Sequence, residues 1–303
     1  MPSALGDGRR EGRKILVFEI MKIYKPKKSL GQNFLKSQMA LWKIIEAGEI
    51  KPNDIILEIG PGKGALTEKL LEKSNHVIAV EKDSNLVLSL KEKFVEQIKS
   101  GSLVLVHDDI LDFDILKIAR QDLVIFKIIA NIPYNITGAI LKKFLTEKNQ
   151  PEIMVLMVQH EVATRILARD GKESILSISV KAYGEPKMIL RVDKRYFSPA
   201  PKVNSAIISI KKISRKNFNS PLEEYPLGGG GLNLSTPSRK RATPQEGNFE
   251  ARFWEIVKAG FAHKRKKLSS NLKDVCQRRS LTELGNKRAE DLSLADWIEL
   301  ARR

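Results

Sequence analysis

Ile55-Ile56-Leu57-Glu58-Ile59-Gly60-Pro61-Gly62-Lys63-Gly64-Ala65 is the stretch whose local chemistry sets the fold. Its first five residues read as a strand, and the apolar positions from Ala65 onward read as a helix over 65–73. A strand that runs through glycines straight into a helix opens a parallel α/β unit. Glycines let the backbone pass close to a ligand, and the helix N-terminus holds unpaired N–H groups beside it. The spacing is Gly-x-Gly-x-Gly, which departs from the Gly-x-Gly-x-x-Gly of dinucleotide sites. Lys63 stands between glycines instead of preceding Ser or Thr, so a nucleoside triphosphate is disfavoured.

Downstream, a second strand over 76–80 ends at Glu81, with Asp83 two residues on. An acidic residue about 20 positions past the glycine loop, at the tip of the second strand, is placed to accept both hydroxyls of a ribose. Asp83 reads as a solvated helix-start carboxylate. A helix over 84–99 leads to a third strand over 103–106, capped by His107-Asp108-Asp109. One of these two carboxylates suits a purine amino group and the other a helix or turn cap. The apolar run 123–130 reads as a buried parallel strand that delivers Asn131-Ile132-Pro133-Tyr134 to the carboxyl edge of the sheet, where α/β proteins bind ligands. Pro133 has no N–H and holds Ile132 extended, which frees nearby carbonyls to accept hydrogen bonds. A planar ligand with an amino group fits such a place; the structural alternative is a strand-to-helix turn in which Tyr134 only packs. Further elements are a helix over 136–147 and strands over 153–158, 187–192 and 205–210. Between the last two strands, Pro199 and Pro201 stiffen a loop that either holds Phe197 against a flat ligand or forms a rigid surface turn.

Upstream, Ser29-Leu30-Gly31-Gln32-Asn33-Phe34-Leu35 is a glycine-containing turn into a helix carrying Met39, Leu41, Trp42, Ile44 and Ile45. Residues 1–20 read as an extension expected to be disordered, 21–212 as the main domain, 213–248 as a Gly/Pro-rich linker or insertion, and 249–303 as a helical domain with the basic cluster His263-Lys264-Arg265-Lys266-Lys267. The 303 residues carry 53 Lys+Arg against 36 Asp+Glu, a formal charge of +17, which favours a polyanionic partner, nucleic acid first. Cys276 is the only cysteine, and His76, His107, His160 and His263 have no ligand spacing, so no metal is expected. With no apolar run of about 20 residues, a soluble, cytoplasmic protein is expected and no membrane partner.

Four stretches, Ser29 through Leu35, Glu58-Ile59-Gly60-Pro61-Gly62-Lys63-Gly64, Asn131-Ile132-Pro133-Tyr134-Asn135-Ile136 and Phe197-Ser198-Pro199-Ala200-Pro201-Lys202-Val203, together resemble the small-subunit (16S) ribosomal RNA adenine dimethyltransferase family in order and spacing. The resemblance spans about 25–212 and resumes over about 249–300. It implies a Rossmann-like seven-stranded class I methyltransferase sheet, a small all-α C-terminal domain and S-adenosyl-L-methionine as cofactor. By motif matching, Asn33 and Leu35 would close over the cofactor, Gly60 would lie by its methionine end, Glu81 would hold the ribose, and Asp109, which aligns better than Asp108, would contact the adenine. Asn131 would bridge cofactor and target. The family's reaction is two methyl transfers to each of two adjacent adenines near the 3′ end of 16S rRNA in the immature small subunit. For that chemistry Asn131 and a carbonyl near Pro133 would accept from the exocyclic amine, while Tyr134 and Phe197 would clamp the flipped base. A monomer is expected. The rivals are an antibiotic-resistance methyltransferase of large-subunit RNA, an assembly factor acting by binding alone, and a nicotinamide dehydrogenase.

Overall fold

The structure is a computed structural model that describes residues 24–119, 124–218, 246–275 and 281–303. Residues 1–20, most of the 213–248 stretch, Leu123 and Cys276 therefore lie outside the described residues. The described strands are β1 (Phe34–Leu35), β2 (Ile55–Ile59), β3 (His76–Glu81), β4 (Leu103–His107), β5 (Phe126–Asn131), β6 (Ile153–Gln159), β7 (Glu185–Val192), β8 (Phe197–Ser198) and β9 (Ser205–Lys211).

Seven of them form one sheet in the order β4-β3-β2-β5-β6-β9-β7. Strands β4, β3, β2, β5 and β6 run parallel, whereas β9 is antiparallel to both β6 and β7. The apolar runs explain the parallel part: Ile56, Leu57, Ile128, Ile129, Val155 and Leu156 are all fully buried, as strands covered on both faces must be. Each such side chain contributes roughly 1.5–3 kcal/mol over an exposed one. Lys127, the charged exception in β5, is buried too, with its ammonium 2.7 Å from the Glu49 carbonyl and 2.7 Å from Asp54. Burial pushes the Asp54 carboxyl up, but the bonds from Lys127 and the Lys51 N–H, with the charges of both lysines, together hold it low. The chain proceeds outward from β2 through β3 to β4, then returns to place β5 on the other side of β2. That reversal leaves a crevice beyond the carboxyl ends of β2 and β5.

Several boundaries differ from the sequence-based expectation for physical reasons. The helix over 84–99 breaks into Ser84–Lys93 and Val95–Lys99, because Phe94 leaves helical geometry (φ −111°, ψ 34°) and buries its ring against Gly64. Helices His160–Leu167 and Ile175–Lys181 occupy a span where the sequence pattern assigns no element; a Ser174/Ser177 capping box starts the second. Strands β1 and β8 pair antiparallel, Phe34 with Ser198 and Leu35 with Phe197, where a turn and a loop were expected. Strand β7 starts two residues early, contains Pro186, and has an irregular register between Met188 and Leu190.

The chain divides into two compact units, one made of the described residues up to Leu167 with Gly184–Ile213, the other of Ala168–Tyr183 and Ser214–Arg303. The second unit therefore includes a segment that sequence reasoning placed in the main domain. Its described regular elements are helical, among them Glu246–Gly260 and Leu294–Arg302, and Phe253, Trp297 and Leu268 are buried. No described helix is long and apolar enough to cross a membrane.

Gly64 caps the helix Ala65–Leu71 in left-handed geometry (φ 76°), and a Cβ there would lie 2.6 Å from the Phe94 ring. Gly64→Ala combines backbone strain with overpacking and is expected to cost about 2–3 kcal/mol, read as a lowered urea midpoint.

Candidate active site

A cavity of about 460 Å³, in the usual size range of small-molecule sites, lies at the carboxyl end of the parallel strands, all of it within the first unit. The glycine loop forms its floor. Gly60 (φ 65°) donates its N–H to the Val80 carbonyl at 2.9 Å, which ties the loop to β3. Gly62 (φ 60°) donates to Glu81 Oε2 at 3.1 Å, and the Asp83 N–H donates to Glu81 Oε1 at 2.9 Å. Both oxygens of Glu81 are thus oriented by backbone, and each keeps a lone pair for a hydroxyl. Burial raises the Glu81 carboxyl above its ordinary value, although these N–H bonds pull the other way.

On the side of β4, Asp108 accepts the Asp109 N–H at 2.8 Å, as a turn cap would. Asp109 accepts the Leu111 N–H at 3.0 Å and pairs with Lys82 at 2.6 Å; the Lys82 bond holds its carboxyl low. Both aspartates line the cavity. Asn131, the last residue of β5, lines the cavity; its Nδ2 donates to the Asn33 carbonyl at 3.2 Å, and its Oδ1 accepts no hydrogen bond among the described residues. Asn33 in turn donates through Nδ2 to the Gly31 carbonyl at 3.0 Å. Pro133 (φ −61°, ψ 129°) precedes the helical turn Tyr134–Ile136 and accepts the Ile136 N–H at 3.3 Å. The expected helical turn therefore exists, and its residues line the cavity as well. Tyr134 hydrogen-bonds Ser205 through its hydroxyl, and burial pushes that hydroxyl up to about 12. It is a neutral ring at any physiological pH.

Asn33, Leu35, Gly60, Glu81, Asp109, Asn131, Pro133 and Tyr134 are all brought to this one cavity. Phe197 is not. Its ring is 2% exposed and belongs to the core formed with Leu35, Met157 and Ile207, while its neighbour Ser198 reaches the cavity. The expectation of a Phe197 face offered to a flat ligand is corrected by this arrangement, because an antiparallel pair with β1 turns the ring inward. Asp83 is corrected too. It caps the helix by accepting the Asn85 N–H at 3.0 Å, yet it is buried, not solvated.

Glu58 was not anticipated as a site residue. It is 1% exposed, lines the cavity, and its Oε2 has no hydrogen-bond partner among the described residues. Burial pushes its carboxyl up to about 8, against the pull of the nearby Thr67 hydroxyl; the charge of Glu81 adds to the rise and Lys93 opposes it. The available signal was an acidic residue inside an otherwise apolar strand. With Glu58, Glu81, Asp108 and Asp109 in its wall, the cavity suits a cationic ligand that carries a ribose and an amino group. A pyrophosphate would face the carboxylates of Glu81, Asp108 and Asp109 there, beside a largely protonated Glu58, which disfavours a nicotinamide dinucleotide.

A mostly parallel seven-stranded sheet, a glycine loop after its first long strand, an acidic tip on the next and an Asn-Ile-Pro-Tyr at the end of β5 define an S-adenosylmethionine-dependent class I methyltransferase. Residues 23–225 match the family described as Ribosomal RNA adenine dimethylase. The chain is 38% identical to "Ribosomal RNA small subunit methyltransferase A" of Dehalococcoides mccartyi (strain CBDB1), over 93% of this chain and 90% of the relative. A dimethyladenosine transferase from Plasmodium falciparum is 26% identical, with TM-score 0.67 over 88% of this chain and 95% of that one. The 23S rRNA methyltransferase ErmE is similar in fold, at 24% identity and TM-score 0.65 over 89% and 98% of the two chains. This chain belongs to the ribosomal RNA adenine dimethylase family, whose methyl donor is S-adenosylmethionine. The unpartnered oxygen of Glu58 and the doubly oriented carboxylate of Glu81 fit that cofactor's ammonium and ribose donors.

Glu58 yields a test by pH. Its carboxyl is raised in the folded state, so the folded chain holds a proton that the unfolded chain has released, and stability falls as pH rises from about 4.5 to about 8. The slope from this group is at most about 1.4 kcal/mol per pH unit. Glu58→Gln is expected to flatten the fall in thermal midpoint between pH 5.5 and 8, measured by calorimetry without ligand.

Proposed function

We propose that this enzyme dimethylates adenines of small-subunit rRNA in the immature small subunit, acting as a monomer in the cytoplasm. Sequence identity of 38% across 93% of the chain with a small-subunit methyltransferase supports that substrate over large-subunit RNA, which fold alone does not separate. The observation that carries the chemistry is Asn131: a strand-end amide whose nitrogen is occupied by the Asn33 carbonyl and whose oxygen remains available at the cavity.

Bound S-adenosylmethionine supplies an electrophilic methyl group on its sulfonium. Glu81 would hold the ribose, Asp109 the adenine amine, and Gly60 with Glu58 the methionine end, beneath Asn33 and Leu35. Asn131 Oδ1 accepts one hydrogen bond from the exocyclic amine of the target adenine. The Ile132 carbonyl is the natural second acceptor, since Pro133 keeps Ile132 extended and the Pro133 carbonyl already serves Ile136. Two acceptors direct the amine's lone pair away from themselves and stabilise the positive charge that develops on nitrogen. No cysteine nucleophile is required. The target base must leave its stack, and the Tyr134 ring offers one face to receive it, a stacking interaction worth about 1–3 kcal/mol. In the arrangement described here the opposite face is not furnished by Phe197, whose ring is in the core. The exposed Lys264, Arg265, Lys266 and Lys267 provide sequence-independent contact to RNA phosphates.

Asn131→Ala is expected to lower methyl transfer by about 10²–10³-fold while leaving RNA affinity unchanged. The assay uses purified immature small and large subunits with labelled cofactor; methylation of the large subunit alone would overturn the substrate assignment. Replacing Lys264, Lys266 and Lys267 with alanine should lower the slope of log affinity against log salt by roughly 0.7–0.9 for each phosphate that is no longer neutralised. An unchanged slope would mean that the cluster is only solvated.

A further inference from the structure

Besides the bond from Asn131 to the Asn33 carbonyl and the pairing of Phe34 with Ser198, the segment 24–34 is tied to the body of the first unit through one buried carboxylate. Asp83 has a fully buried side chain, and three side chains of that segment converge on it: Tyr24 through its hydroxyl at 2.8 Å, Lys27 through Nζ at 3.0 Å and Gln32 through Nε2 at 3.0 Å. The Tyr24 hydroxyl also lies 2.6 Å from Gln32 Oε1, which accepts the Lys27 N–H at 2.7 Å, so the three segment residues brace one another. Against burial, which would raise it, the bonds from Lys27, Tyr24 and Gln32 hold the Asp83 carboxyl low.

The same segment covers the cavity. Ser29, Leu30, Gly31, Gln32, Asn33 and Phe34 all line it. The Phe34 ring rests on Gly62, where a Cβ would come within 2.9 Å of it, and Lys63 Nζ lies 5.2 Å from the ring centroid. Tyr24 meets Phe34 edge-on at 6.1 Å. The backbone N–H of Asp83, meanwhile, orients Glu81. A helix cap needs one of the bonds that Asp83 accepts, the one from Asn85; the other three all come from the covering segment.

We propose that Asp83 is the latch of this cover: a positioning residue that fixes 24–34 over the cavity and thereby sets how fast the cofactor exchanges. This rests on the cavity being the cofactor site. A buried carboxylate latched by an ammonium, a phenol and an amide holds firmly, yet it is released as one unit when any strut is removed, because each braces the next.

The test separates latch from cap. Asp83→Asn keeps size and a good N-cap but turns an NH₂ donor toward the Tyr24 and Gln32 donors. Tyr24→Phe and Lys27→Met remove struts from the other side without touching the helix. Hydrogen exchange of residues 24–34 without ligand reports the latch alone, and all three variants are expected to lose protection there. Stopped-flow release of S-adenosylmethionine should be about tenfold faster in each, the effect of removing one charge-assisted hydrogen bond, with KM for the cofactor raised and kcat retained in Tyr24→Phe and Lys27→Met. Unchanged exchange in Tyr24→Phe and Lys27→Met would overturn the latch. Diminished protection with unchanged release would overturn its control of the cofactor. If the wild type does not bind S-adenosylmethionine at all, the cofactor site is misassigned, and the exchange arm still decides the latch.

Discussion

Much of the site hangs on the Glu81 carboxylate and its two backbone bonds. Parallel pairing sets Ile59 beside Val80, so Gly60, the first residue after β2, comes level with Glu81, the last residue of β3, and donates its N–H to the Val80 carbonyl. A carboxylate buried there requires donors, and it finds them in the N–H groups of Gly62 and Asp83. The loop after β2 must therefore curl toward β3, and the positive φ values at Gly60, Gly62 and Gly64 are the geometry of that curl. One desolvated charge thus sets the shape of the floor on which the ligand lies.

The charge of the chain and the charge of its cavity have opposite signs. A formal +17 over the whole sequence attracts a polyanion, while Glu81, Asp108 and Asp109 present an acidic interior to a cation. RNA phosphates are drawn to the basic surface and repelled from the acidic floor, so the two substrates do not compete for one field. Asn131 adds a neutral amide to the wall of that acidic cavity.

The parallel half of the sheet was legible because its strands are continuous apolar runs and its loops follow the glycine and acid pattern at local spacing. Asn131, Pro133 and Tyr134 were legible for the same reason, as residues at the end of such a run. Phe197 was not, since its burial comes from pairing with Leu35, a partner more than 150 positions away in sequence that no local pattern encodes. Asp83 showed only its local half, the cap; the partners that bury it come from Tyr24, Lys27 and Gln32. The break at Phe94 likewise answers to Gly64 across the fold, and the grouping of Ala168–Tyr183 with the C-terminal unit leaves no mark in composition.

Strand β7 closes one margin of the sheet, and there the ladder has an outer row of amides with no neighbouring strand in the sheet. Pro186 removes one of those donors, the irregular step between Met188 and Leu190 spoils the straight line, and Lys187 and Arg191 add like charge. A second chain that tried to continue the sheet would find an irregular border carrying Lys187 and Arg191 in place of a template. A border of that kind is a poor seed for edge-to-edge association between copies of the chain.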